Sequence, residues 1–229
     1  MADYSHYKSG AGAYALVNVR VEPLDSYDYF PTPPWAGRAL CEWLQNNLDH
    51  DLTERSVWEP ACGEGHLVVG MKDYFKTVRS SDLYNYGFGE VLDFFSTGTD
   101  QISDWIITNP PFRLGKEFTL HALSRVRKGV VMFVRTNFLE SVGRYEDLFH
   151  PFPPKCILQF TERVPIRRGW VDENLATATS YCWIVWSVDQ VTMTEYNWLP
   201  PCRKRLERET DYTHTSKPFV HKNEGATLF

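Results

Sequence analysis

From residue 29 to residue 188, short apolar runs alternate with amphipathic stretches. Ala39, Leu40, Trp43, Leu44 and Leu48 recur at helical spacing, and the prolines of Pro31-Thr32-Pro33-Pro34 hold off that helix until about Trp35. Residues 56–61 form an apolar run that ends in a glycine loop, Cys62-Gly63-Glu64-Gly65, and residues 66–75 follow as a helix. A second strand over residues 77–83 ends at Asp82, and a weaker strand candidate precedes Asp93-Phe94. Asp104-Trp105-Ile106-Ile107-Thr108 is a clear strand stopped by Pro110-Pro111; residues 116–127 are helical and residues 130–135 a buried strand. Strands alternating with helices predict a parallel α/β sheet covered on both faces. After Pro153-Pro154 the rhythm changes: residues 156–164 and 181–188 read as two strands with no helix between them, a hairpin-like pair that makes the sheet mixed. Residues 1–26 lack periodicity and read as an arm or strap, residues 27–200 as the folded domain, and residues 201–229 as a polar C-terminal tail that opens as a helix or strap.

Two loops carry candidate chemistry. In Glu59-Pro60-Ala61-Cys62-Gly63-Glu64-Gly65 the glycines let the backbone turn sharply and approach a ligand. It is not a phosphate loop, because Met71-Lys72 stands where a Lys-Ser/Thr pair is required. Asp82, followed by Leu83, closes the next strand where nucleotide-binding sheets place the acceptor of both ribose hydroxyls. Asp93 would accept from an adenine amino group, with Phe94 covering the ring. S-adenosylmethionine fits this set, with Glu59 for its ammonium and Thr32 for its carboxylate. The second loop, Asn109-Pro110-Pro111-Phe112, sits at the carboxyl end of a strand. There the Asn109 side-chain oxygen and the Pro110 carbonyl would accept from an exocyclic amine and free its lone pair, on a loop that the prolines keep stiff. Phe112 would stack on the target base. Singly, each residue has a structural alternative: Glu59 and Asp93 as caps, Thr32 and Asn-Pro-Pro as turn formers. The order of the set carries the reading.

Composition narrows the setting. A chain of 229 residues with 43% hydrophobic and 23% charged positions is one ordinary globular domain. Its net charge of -5 gives no whole-molecule attraction to nucleic acid, so a local basic rim is required; Arg113, Lys116, Arg163, Arg167, Arg168 and Trp170 are the candidates. The five cysteines show no paired spacing, no leader opens the chain and no apolar run is long enough to span a membrane, which predicts free thiols in the cytoplasm. His6, His66, His121 and His150 lack metal-ligand spacing, so no metal site is expected.

In order, Pro-Thr-Pro-Pro-Trp, Glu-Pro-Ala-Cys-Gly-Glu-Gly, Ser-Asp-Leu-Tyr, Asp-Phe-Phe and Asn-Pro-Pro-Phe resemble the motifs of the class I adenine-N6 DNA methyltransferases, most of all the small phage and prophage members. The resemblance implies a Rossmann-like, seven-stranded, mostly parallel sheet with one antiparallel strand. It also implies a role in modifying DNA with S-adenosylmethionine as methyl donor. It matches Thr32, Glu59, Gly63, Gly65, Asp82 and Asp93 to the cofactor site, and Asn109, Pro110 and Phe112 to the catalytic loop. The chain is too short for the separate target-recognition domain of sequence-specific relatives. The terminal Leu228-Phe229 resembles peptides that dock bacterial sliding clamps. RNA adenine or a protein glutamine amide is the alternative acceptor, and a catalytically silent nucleic-acid-binding scaffold the alternative from another class.

Overall fold

The computed structural model describes residues 29–98, 100–166, 178–189 and 193–212. Eight strands form one sheet: β1 (Ser56–Glu59), β2 (Thr77–Asp82), β3 (Glu90–Val91), β4 (Ser103–Thr108), β5 (Val126–Arg135), β6 (Cys156–Phe160), β7 (Tyr181–Ser187) and β8 (Glu195–Leu199). Their order is β3-β2-β1-β4-β5-β7-β6-β8. Only β7 opposes its neighbours; every other pairing is parallel. The expected seven strands are therefore corrected to eight. The extra one, β8, adds in parallel to β6, and of its five residues only Leu199 is buried. An edge strand with so little buried surface carries no alternating apolar signal.

Side chains alternate across the central strands and give the sheet two cores. Val57, Trp105, Ile107, Val131, Phe133, Trp183 and Val185 point to one face. They meet Leu40 and Leu44 of helix α1 (Pro34–Asn47) and Leu67 and Met71 of helix α2 (His66–Met71) there. Ile106, Val130, Met132, Val134, Ile184 and Trp186 point to the other, against Phe118 and Ala122 of helix α3 (Gly115–Leu123) and against Phe138 and Leu148. Alternation with both sets buried marks a sheet covered on both sides. α1 starts at Pro34, at its first turn, where the missing proline N–H is no loss.

The polar stretch that begins at residue 201 opens on two short helical turns. The chain there turns through Arg203–Leu206 and Glu209–Tyr212, with Cys202 and Leu206 in the core. Arg38 of α1, 1% exposed, grips both Asp211 carboxylate oxygens at 2.7 Å and the Leu206 carbonyl at 2.8 Å. Charge counted along the sequence missed this, because the partner lies 173 residues away.

Candidate active site

The strand order reverses between β1 and β4, which run side by side and parallel. Ligands of open α/β sheets bind outside the carboxyl ends of the strands at such a switch point. A cavity of about 340 Å³ lies there. Glu59 ends β1 and Thr108 ends β4, so the register brings them together and the Thr108 hydroxyl donates to Glu59 Oε1. The Ala61 N–H donates to the same oxygen at 3.2 Å. Glu59 is 1% exposed, and among the described residues its other oxygen, Oε2, has no partner. Burial pushes this carboxyl up to about 8, against the pull of those two hydrogen bonds.

The loop after β1 needs its glycines for two reasons. Gly63 and Gly65 have φ of +51° and +85°, the left-handed region that disfavours side chains. A Cβ on Gly63 would also lie 2.3 Å from the Tyr29 ring. Tyr29 covers the loop, donating its hydroxyl to Glu64 Oε2 at 2.9 Å. At the end of β2, Asp82 accepts from the Gly63 N–H at 2.9 Å and the Tyr84 N–H at 3.0 Å, so it braces the loop as well as facing the cavity. Burial raises its pKa despite these donors.

Asn109, directly after β4, donates through Nδ2 to the Phe30 carbonyl at 2.6 Å. That bond fixes the amide, and leaves Oδ1 buried and without a partner. Thr32 Oγ1, 2% exposed, is likewise unpartnered. Three buried oxygens, on Thr32, Glu59 and Asn109, thus belong to residues lining one cavity, and none has a donor among the described residues. Buried polar atoms are ordinarily paired, so three unpaired ones on residues of a single cavity mark a place built for a polar ligand.

No family model and no curated protein matches the chain. Among solved structures it is similar to a protein named as a modification subunit of a type I restriction enzyme from Vibrio vulnificus YJ016. That match has 15% identity and a TM-score of 0.52, over 80% of this chain and 50% of the other. It is also similar to a type I restriction-modification system methyltransferase subunit from Streptococcus thermophilus, with 11% identity and a TM-score of 0.54, over 71% of this chain and 45% of the other. The chain shares its fold with these two proteins. The chain matches half or less of the length of each of these two proteins.

Most of the expected site residues converge. Thr32, Glu59, Pro60, Ala61, Asp82, Leu83, Asp93, Phe94, Asn109 and Pro111 all line the cavity. Gly63 and Gly65 shape its loop from behind. Asp93 is exposed and caps the following turn through the Phe95 N–H at 3.0 Å, with its other oxygen left over. Pro110 and Phe112 are not in this wall; they border a neighbouring cavity. Phe112 packs between the Phe30 ring at 4.9 Å and the Arg135 guanidinium at 4.1 Å. Of the expected rim, Arg113 lines the main cavity. Lys116 is bonded to Asp147 at 2.8 Å, and Arg163 to the Ala178 carbonyl and Ser180 hydroxyl. Arg167, Arg168, Trp170, Leu228, Phe229 and the arm over residues 1–26 lie outside the described residues. Tyr29, Phe30, His66 and Tyr86 also line the cavity and were not foreseen. Only for Tyr29 and Phe30 was there a signal, their place beside the helix-forbidding prolines. Among the described residues no helix is long and apolar enough to cross a membrane.

Proposed function

We propose that this chain transfers a methyl group from S-adenosylmethionine to the N6 amino group of adenine in DNA, leaving S-adenosylhomocysteine and releasing one proton from the amine. The observation that carries the reading is the convergence of the open Glu59, Thr32 and Asn109 oxygens on one cavity at the switch point. The donor set fits the cofactor. Glu59 Oε2 is a buried acceptor for its ammonium, Thr32 Oγ1 a donor for its carboxylate, Asp82 an acceptor for its ribose hydroxyls and Asp93 for its adenine amine. When bound, the cofactor supplies a methyl carbon made electrophilic by sulfonium. The rest is the work of this chain. Asn109 Oδ1, locked by the bond from Nδ2 to Phe30, accepts a hydrogen of the target amine, and the Pro110 carbonyl accepts the other. Two acceptors favour a pyramidal nitrogen with an available lone pair. Because the proline loop holds them in place beforehand, little reorganisation accompanies reaction. A base inside a duplex has no path to this site, so the target leaves the stack first.

DNA is favoured over RNA and over a glutamine amide by the likeness to two restriction-modification subunits and by the ordered motifs. Labelled S-adenosylmethionine incubated separately with DNA, RNA and protein, followed by digestion and mass spectrometry, tests the reading. N6-methyladenine from DNA is the expected product. Label in RNA or glutamine alone would replace the acceptor, and label in none would return the chain to the silent-scaffold reading.

A further inference from the structure

The Asn109-to-Phe112 loop is a wall between two cavities. Asn109 and Pro111 line the first, while the alternate residues Pro110 and Phe112 line a second, of about 190 Å³. Two arginines border this second space: Arg135 at the end of β5, and Arg144 from the helical turn that follows. No carboxylate lines it, and neither arginine makes an ion pair with a described residue. Arg135 lies over the rings of Phe112 at 4.1 Å and Phe30 at 5.8 Å, and its Nε is buried without an acceptor. Arg144 lies over Phe138 and donates only to main-chain carbonyls, of Phe138 at 2.6 Å, Glu140 at 3.1 Å and Asn137 at 3.4 Å. Elsewhere Arg38, Arg55, Arg79, Arg205 and Arg208 each bridge an acid. Both arginines border one small cavity that no carboxylate lines, and an anion seated there would accept from them.

We propose that this second cavity seats a phosphodiester of the target strand next to the methylated adenine, with Arg135 and Arg144 as positioning residues. The inference rests on the methyl-transfer reading above. Pinning the backbone on the far side of the proline wall sets which base reaches Asn109.

The test uses DNA binding by the whole chain, with oligonucleotides carrying a neutral methylphosphonate at each linkage around the target adenine in turn. One flanking linkage should weaken wild-type binding by roughly tenfold when neutral. Arg135→Met should bind that oligonucleotide no worse than the unmodified one, with its salt slope reduced by about 1. Arg135→Lys should retain the sensitivity, and calorimetric cofactor affinity should be unchanged in both variants. A wild-type chain indifferent to every neutral flanking linkage overturns the inference, whether or not Arg135→Met folds. So does an Arg135→Met variant with the wild-type slope and linkage profile. Inorganic phosphate binding that depends on Arg135, without any linkage effect, would mark a free-anion site and equally overturn it. If wild-type protein methylates DNA while these results are negative, only this inference fails; if it methylates no nucleic acid, the underlying reading fails.

Discussion

Two buried carboxylates behave in opposite ways. Asp211 is 4% exposed, and both its oxygens are held by Arg38, with a further N–H from Arg208 at 3.1 Å. Glu59 is 1% exposed, yet one of its oxygens has no partner among the described residues and its carboxyl is pushed up to about 8. A buried acid matched inside the chain is a structural joint, here fastening the last described turn onto α1. A buried acid left half matched is destabilising until something arrives to complete it. The same contrast separates the paired surface arginines from Arg135.

That contrast can be broken experimentally, starting with the largest effect. Arg38→Met strands the Asp211 charge and should lower stability by roughly 3–5 kcal/mol. Urea unfolding measures it, and cofactor affinity should stay at the wild-type value. On the proposed mechanism Asn109→Ala removes an acceptor used at the reacting amine. Its transfer rate should drop about 10²–10³-fold in single-turnover assays, with cofactor affinity nearly intact; a substantially active variant contradicts the mechanism. Glu59→Gln should cut cofactor affinity roughly tenfold to a hundredfold, the range for a hydrogen bond to a charged group. Unlike Arg38→Met it should leave the free protein as stable as wild type or more so above neutral pH. The same contrast has a signature in pH dependence. Because folding raises the Glu59 pKa from 4.5 to about 8, its contribution is fully present below the lower value and is lost as pH climbs to the upper one. Thermal melts of the free protein should show that decline, and melts of Glu59→Gln should lack it.

The pattern of residues made part of this legible. β4 and β5 announce themselves through the apolar runs 105–107 and 130–134, buried on both faces, and the acidic ends of β1 and β2 with the Asn109 loop follow at readable intervals. β8 was not legible, since Tyr196 and Trp198 remain exposed and four of its five residues escape burial. The Tyr29 contact with Glu64 and the Arg38 bridge to Asp211 span 35 and 173 residues, distances over which periodicity carries no information. Phe112 shows the limit most clearly. A motif names the residue, but only the alternation of the loop assigns Asn109 to one cavity and Phe112 to the other.

The most direct test of a half-matched Glu59 awaiting a cation is calorimetric titration with S-adenosylmethionine at pH 7 in two buffers of different ionisation heat. Glu59 is mostly protonated there and must ionise to hold an ammonium, so binding should release close to one proton per site, and the observed heats should differ between buffers accordingly. Glu59→Gln should bind weakly with no such difference. Absence of binding, or a buffer-independent heat that Glu59→Gln reproduces, would contradict the account.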